Sequence, residues 1–438
     1  MAEIVINRLN SENVTKSNKA PEYGVARSGV PRRLFLLGAA GAATGGLGSP
    51  FIQTAKAAES VKIGLSFAHA GIQGPGGPHV KAGAELAVSI HGGMVLGRPI
   101  ELVVSDETDV PGTKANMNKL ITEQKVVAVV GGSESSRSIA LQAIAGEAKI
   151  PLIIHTSSHD DLSGKLCNPW TFRVSIPYGI QYRAISPYLA DYGKKWFMLG
   201  VTGTSGPAMM AVAKLGMTEE GAQEIGSEVA SQELTDFSAI IDKIKTTKPD
   251  VVVGALQGTA LTYFFKAWQA GGVGTQIPYA QIGLTDADLW AAGPEAAAAT
   301  GGVYSKTWDY AAPNLPADDK VFVEQFLKKM NGQPPDTRAW QAYMGMRSLL
   351  GSIELVKSTE ADKIRQAIPR FQEASGAVTL RFRDHDHQML HRVPVFETKT
   401  PIKDKYHWLD AEKYLPEKVS DLDQLYGPKD KSTCIIPA

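Results

Sequence analysis

Residues 153 to 161, IIHTSSHDD, run from an apolar stretch into two histidines, a threonine, two serines and two aspartates. That mixture fits three chemistries. His155 or His159 could act as general base to Ser157 or Ser158, either histidine could ligate a metal, or the hydroxyls could cradle the oxygens of a molecule that is held unchanged. A hydrolase would also need a partner that orients the base and donors for an oxyanion, and the sequence identifies neither. The best metal candidate is HDHQMLH, with His385, His387 and His391. Imidazoles at that spacing converge on zinc only where the backbone turns suitably, so solvated polar turn residues are the preferred reading. No catalytic residue, metal ligand or cofactor is assigned.

Other reactive motifs are missing. GTSGPAMM and SGKLC lack the Gly-Lys-Ser/Thr ending of a phosphate-binding loop. The first glycine-rich turn, GLSFAHAGIQGPGGP, does not have the Gly-x-Gly-x-x-Gly spacing that brings a pyrophosphate to a helix start. GGSES and GTSGP both fail the pattern of a nucleophile elbow. Lysine plus arginine and aspartate plus glutamate number 45 each, which removes the electrostatic case for a nucleic-acid partner.

These residues sit on a regular alternation of strands and helices. VKIGLSF (61 to 67), IELVVSD, VVAVVGG (126 to 132) and IPLIIHT (150 to 156) are strand-like, with helical stripes between them. A second round follows with strands WFMLGV, DVVVGAL and IPYAQIG and helices at about 178 to 192, 207 to 220, 236 to 248 and 259 to 271. Helices at about 318 to 331 and 337 to 357 come next, then a late β-like pair, AVTLRFRD and RVPVFETK. The alternation predicts α/β architecture with parallel sheets, and its two rounds suggest two similar lobes. Irregular structure is expected for the polar tail, 413 to 438.

Residues 1 to 57 read as an export segment. Arg32 and Arg33 precede the run LFLLGAAGAATGGLG, and Ala55 and Ala57 stand where a signal peptidase reads. This resembles a twin-arginine signal. A short membrane anchor is the alternative, but the run falls short of the ~20 apolar residues that a spanning helix needs. Export to an oxidising compartment makes one disulfide between Cys167 and Cys434 the economical expectation, with two separate buried thiols as the alternative.

The string VKIGLSFAHAGIQGPGGPHVKAGAELAVSIHGGMVLGRPIELVVSDETDVPGTKANMNKLI resembles the amino-terminal lobe of the periplasmic binding proteins of branched-chain amino acid ABC transporters. GAELAV, GGMVLGRPIELVVSD and DFSAIIDKIK carry the likeness, which spans about residues 61 to 400; His91 stands where that family commonly has asparagine. The resemblance implies two Rossmann-like lobes, 58–174 plus 305–385 and 175–304 plus 386–412. Three crossovers near 173 to 178, 305 to 309 and 384 to 392 would form the hinge of this type I periplasmic binding fold. It also implies a monomeric periplasmic receptor that holds a small organic ligand (an amide, a urea-like compound, a carboxylic acid or an amino-acid-like molecule) in the cleft, with permease subunits in the inner membrane as partners. A ligand-sensing module for a regulator, and a metal-dependent hydrolase, are the competing functions.

Carried over by motif, Ser135, Thr156 and Ser158 would hold a ligand carboxylate. The departures bear on specificity. GPGGP replaces a turn that carries an aromatic in amino-acid binders, and Ser205 and Gln257 stand where those proteins have tyrosines. Gln281 falls at or beside the acid that pairs the ligand ammonium. An ammonium left unpaired in a buried site is costly. Gln257 and Gln281 therefore suit an amide, a urea-like compound or a carboxylic acid better than an ordinary α-amino acid. Asp286 and Asp288 could rescue a cation, His155 and His159 could donate to an anion, and Trp340 and Tyr343 could line the cleft.

Overall fold

Strands that are apolar throughout are stable where both faces of a sheet are covered, and the chain builds two such sheets. The computed structural model describes residues 59–71, 73–312, 315–375, 378–398, 402, 404–408 and 422–436. The expected export segment, 1 to 57, lies outside the described residues.

The first sheet comes from β1 (Val61–Phe67), α1 (Gly77–Ile90), β2 (Met94–Val95), β3 (Arg98–Asp106), α2 (Val110–Thr122), β4 (Val129–Gly131), α3 (Ser135–Ala148), β5 (Leu152–Ile154) and β6 (Thr171–Arg173). Its strand order is β2-β3-β1-β4-β5-β6, parallel except for the β2–β3 hairpin.

The chain then forms α4 (Tyr178–Tyr192), β7 (Lys195–Val201), α5 (Ser205–Glu219), β8 (Gln223–Ala230), α6 (Ser238–Thr247), β9 (Val251–Ala255), α7 (Gly258–Ala270), β10 (Tyr279–Gln281), α8 (Asp286–Ala292), α9 (Pro294–Ala298) and β11 (Val303–Ser305). It turns back through α10 (Ala317–Lys329), α11 (Thr337–Val356), α12 (Ala361–Ala367), β12 (Gln372–Ser375), β13 (Val378–Phe382), β14 (Met389–Leu390) and β15 (Val395–Glu397). The second sheet runs β15-β11-β10-β9-β7-β8, with β15 alone antiparallel. This is the α/β fold that the alternation predicts.

Two local differences have clear causes. The sequence reading has no strand between the helices at 207 to 220 and 236 to 248, where β8 lies. That strand occupies the sheet edge and is largely half-buried, so it lacks an apolar run. AVTLRFRD and RVPVFETK enter different sheets: β13 pairs with β12 and β14, whereas β15 pairs with β11.

Each sheet has its own core. Apolar residues of α1, α10 and α11 cover one face of the first sheet, and α2 and α3 cover the other. Phe264, Phe265, Trp268 and Tyr279 anchor one face of the second sheet, while α4 and α5 bury the opposite face. Trp340 and Tyr343 belong to the first core and do not line the cleft. Trp340 stacks on Trp308 at 5.8 Å, and Tyr343 stacks on Phe322 at 4.2 Å.

Three segments join the sheets, after β6, β11 and β14, and they are tied to one another. Arg173 donates through Nε to Gln388 Oε1 at 2.6 Å, and Gln388 Nε2 donates to the Ser175 carbonyl at 2.9 Å. His391 Nε2 lies 2.9 Å from the Val174 carbonyl. The tail reaches the same region. Cys167 and Cys434 form a disulfide with Cα atoms 5.5 Å apart. The end of the tail is also less irregular than expected: α13 (Leu422–Tyr426) buries Leu425 and Tyr426 among the apolar residues of α4, and the Tyr426 hydroxyl donates to the His391 carbonyl at 2.8 Å.

Candidate functional site

Parallel strands deliver the residues at their carboxyl ends to one side of a sheet, where the following helix begins. The two sheets face each other with these sides, and a cleft lies between them. Its inner part, a cavity of about 50 Å³, is lined by Ser133, Ser135, Thr156, Ser157 and Ser158 from the first sheet's loops and by Ser205, Gln257, Gly283 and Thr285 from the second's. Tyr178, Gln73, Glu134 and Arg338 complete the lining. Gln73, Glu134 and Gln257 also border an outer space of about 330 Å³, so the inner cavity opens through them.

The β4–α3 turn is shaped from beneath by Glu107, which is fully buried. Its two carboxylate oxygens accept from the amides of Gly132 at 2.7 Å and Ser133 at 2.8 Å. Burial raises the Glu107 pKa, and the two amides pull against that rise. Gly132 has φ +96°, and a Cβ there would meet Ser138 Oγ at 2.8 Å, so the turn requires glycine. The result points Ser135, the first residue of α3, across the cleft. Ser205 opens α5 on the other side, and its hydroxyl donates to Ser135 Oγ at 3.2 Å. The Tyr178 hydroxyl faces both serines and accepts from Gln257 Nε2 at 3.4 Å.

Neither α3, α5 nor α7 has a side-chain cap on its first amides. Three positive helix ends therefore look into the cleft, an arrangement suited to oxygen-rich or anionic groups. Two polar atoms add to it. Ser157 Oγ and Arg338 Nε are buried without a hydrogen-bond partner, and both residues line the inner cavity.

Of the eight residues proposed for ligand contact, Ser135, Thr156, Ser158, Ser205 and Gln257 line this cavity, whereas His155, His159 and Gln281 are turned elsewhere. His155 is fully buried behind the wall. Its Nδ1 lies 2.6 Å from Thr156 Oγ1 and its Nε2 lies 3.1 Å from the Ser66 carbonyl. A neutral ring that donates from Nε2 and accepts at Nδ1 satisfies both contacts, and burial lowers its pKa to about 4. His159 begins a short 3-10 turn and accepts from the Asp161 amide at 3.2 Å. Gln281 accepts from the Leu256 amide at 3.1 Å and from the Tyr279 hydroxyl, which ties it into the sheet.

The acidic pair GLTDADL is also committed. Asp288 caps α8 reciprocally with Thr285, and Asp286 binds the buried Lys306 at 2.8 Å. In HDHQMLH the rings diverge. His387 stacks on Phe172 and contacts the Thr171 carbonyl, His391 contacts Val174, and His385 lies beside Asp386. Among the described residues, no cluster of three His, Cys, Asp or Glu side chains could hold a metal ion.

Sequence reasoning missed Arg338, Tyr178, Gln73 and Ser133. A signal for Arg338 existed. It is the second residue of α11, where a cation opposes the helix dipole, so its place calls for another purpose.

Two mainly parallel α/β units facing each other across a polar cleft define a two-lobed ligand-binding protein. The family model described as periplasmic binding protein matches residues 60–405, and the chain belongs to that family. Leu/Ile/Val-binding protein homolog 7 of Brucella suis is 22% identical over 347 residues, which cover 75% of this chain and 85% of that one. A branched chain amino acid ABC transporter periplasmic ligand-binding protein from Burkholderia xenovorans superposes with TM-score 0.75 at 19% identity, covering 86% of this chain and 99% of that one. An ABC transporter solute binding protein from R. palustris, in complex with benzoate, superposes with TM-score 0.70 at 23% identity, covering 80% and 96%.

Such proteins are ABC-transporter receptors for small molecules with membrane permeases as partners, and they are binding proteins rather than enzymes. A periplasmic location fits, and no helix among the described residues is long and apolar enough to cross a membrane.

Proposed function

We propose that this chain captures a small organic acid or its close relatives for an ABC importer, closing two lobes on the ligand and presenting the closed form to the permease. The carrying observation is the hydrogen bond between Ser135 and Ser205, which joins the starts of two helices from opposite sheets across the cavity. Ligand oxygens would meet Ser135, Thr156 and Ser158 on one wall and Ser205 and Gln257 on the other. His155, His159 and Gln281 would act indirectly, by fixing the walls.

The two lobes are built on the first and second sheets, the second lobe's last strand being β15 rather than the segment from 386 onward, because β14 pairs with β13, and the tied segments around Arg173 and Gln388 supply the hinge. Lobe closure of this kind converts ligand binding into a surface that a partner can recognise. The protein works as a monomer and leaves the cytoplasm by the twin-arginine route through residues 1 to 57. Benzoate in the R. palustris relative supports a carboxylic acid as ligand.

Mass spectrometry of the small molecules released from protein purified from its own periplasm tests the reading. An organic acid or amide at stoichiometric amounts, rebinding in calorimetry, is the expected result. Purified protein that releases and rebinds no small molecule would sink it.

A further inference from the structure

The structure assigns the ligand's carboxylate to Arg338, a residue outside the hydroxyl set, and so makes the receptor selective for small carboxylic acids over their uncharged amides. This rests on the receptor reading above and narrows it.

Arg338 is only 7% exposed, yet it lines the inner cavity beside Ser135, Ser157 and Ser158. A guanidinium carries five donors in a planar fork, and a buried one is normally hydrogen-bonded throughout. This one is not. Its Nε has no partner. Its two terminal nitrogens lie 3.6 Å from Asp288 and 3.7 Å from Asp336, distances of ion pairing without a hydrogen bond. Each aspartate gives one oxygen to backbone, Asp288 Oδ2 accepting from the Thr285 amide at 2.9 Å and Asp336 Oδ1 from the Ala339 amide at 3.0 Å, and turns the other toward the arginine. They flank the guanidinium at ion-pair distance, hold its charge in place and accept no hydrogen bond from it, so its donors can still serve a ligand in the cavity. A carboxylate is the group whose geometry matches such a fork.

The one carboxylate in the lining of the inner cavity is Glu134, whose Oε2 accepts from Ser136 Oγ at 2.5 Å and lies 4.0 Å from Arg137 Nε. A ligand ammonium would have to share that single carboxylate with Arg137. The three uncapped helix starts, one from the first sheet and two from the second, add positive potential to the same cavity.

A second observation concerns the turn GPGGP. A Cβ on Gly76 would lie 2.5 Å from Arg338 Cδ and 2.7 Å from Nη1. The arginine stem thus occupies the space that any side chain at 76 would fill. Gly76 has φ −81° and ψ −15°, a conformation open to alanine, so its small size serves the neighbour and not the backbone. The bare turn and the unpartnered arginine are two halves of one feature.

Calorimetry on the full mature chain tests this with matched probes: benzoate against benzamide, and 4-methylpentanoate against 4-methylpentanamide and leucine. In the wild type, at least one acid is expected to bind more tightly than its amide by on the order of 10- to 100-fold, as a charged hydrogen bond implies. R338Q should abolish that preference while leaving the amide's affinity in place, and R338K should keep part of it. G76A retains the charge but crowds the stem, so it should weaken acid binding alone.

A wild type that prefers the amides, or leucine, overturns the arginine anchor and leaves the receptor reading standing. Equal loss of acid and amide binding in both R338Q and G76A overturns it as well, since Arg338 would then only support the wall. Binding of none of the five probes counts against the anchor and against the ligand class together. The wild-type comparison needs no variant, so a poorly folding R338Q does not decide the outcome.

Discussion

The two walls of the cleft are built differently. On the first, the strand-end loops are held from behind. Glu107 fixes the Gly132 and Ser133 amides, His155 fixes Thr156, and Ser133 Oγ accepts from the Ala68 amide at 3.1 Å. On the second, Thr285 is pinned by the capping box, but Gln257 makes only long contacts, 3.4 Å to Tyr178 and 3.6 Å to Met209 Sδ. A wall fixed before binding loses little freedom when a ligand arrives, whereas one that must be ordered spends part of its interaction energy on that ordering. Under the proposed function the first wall would be the docking surface, and the second would adapt to what has docked.

The largest effect is expected from removing the foundation of the first wall. Glu107→Ala leaves two buried amides unpaired and opens a cavity, so unfolding free energy should fall by roughly 2–4 kcal/mol, read from the urea midpoint at pH 7. If stability is unchanged but binding is lost, the wall is not pre-set and the contrast between the walls disappears.

Next come the hydroxyls. Ser135→Ala and Ser158→Ala should each weaken a bound acid by about 1–3 kcal/mol in calorimetry. Unchanged affinity in both would move the docking surface elsewhere.

The pH dependence sharpens the same contrast. The His155 pKa is lowered from 6.5 to about 4, so between these values the unfolded chain binds a proton that the folded one refuses. Its contribution is fully present above pH 6.5 and is lost as pH falls toward 4. Glu373, raised to about 7, works in the opposite sense, because its folded form holds a proton that the unfolded chain releases. The test is therefore a difference between proteins. Going from pH 7 to pH 5, the wild type should lose up to about 2 kcal/mol more stability than His155→Gln does. Parallel curves would show that His155 is not what titrates.

The smallest effect belongs to Gln257→Ala. Its long hydrogen bonds predict a loss of less than about 1 kcal/mol in affinity, with little change in melting temperature. A loss as large as that of Ser135→Ala would make the second wall an equal partner.

Much of this was legible in sequence. The strands that position the site are continuous apolar runs, and the family resemblance carries Ser135, Thr156, Ser158, Ser205 and Gln257 onto the turns that follow them. The cysteines were legible too, since they are the only two in the chain. His155 and Gln281 were misplaced for a reason of direction. Successive residues near a strand end point to opposite faces, and Thr156 faces the cavity while its neighbour His155 turns inward to Ser66. Motif position alone does not reveal which of two adjacent side chains meets the ligand.

What the sequence determined was the local grammar: which segments become strands, which hydroxyls follow them, and which family these belong to. Tertiary structure decided the charge of the site. Arg338 lies far along the chain from the serines it joins, on a helix held to α1 where the Asp336 amide donates to His79 at 3.2 Å, and it enters the space left by Gly76. A side chain's partners depend on packing between distant segments. No periodicity encodes them, and an arginine that would read as one more surface cation is brought among the hydroxyls of IIHTSSHDD only by the way two helices and a glycine turn come together.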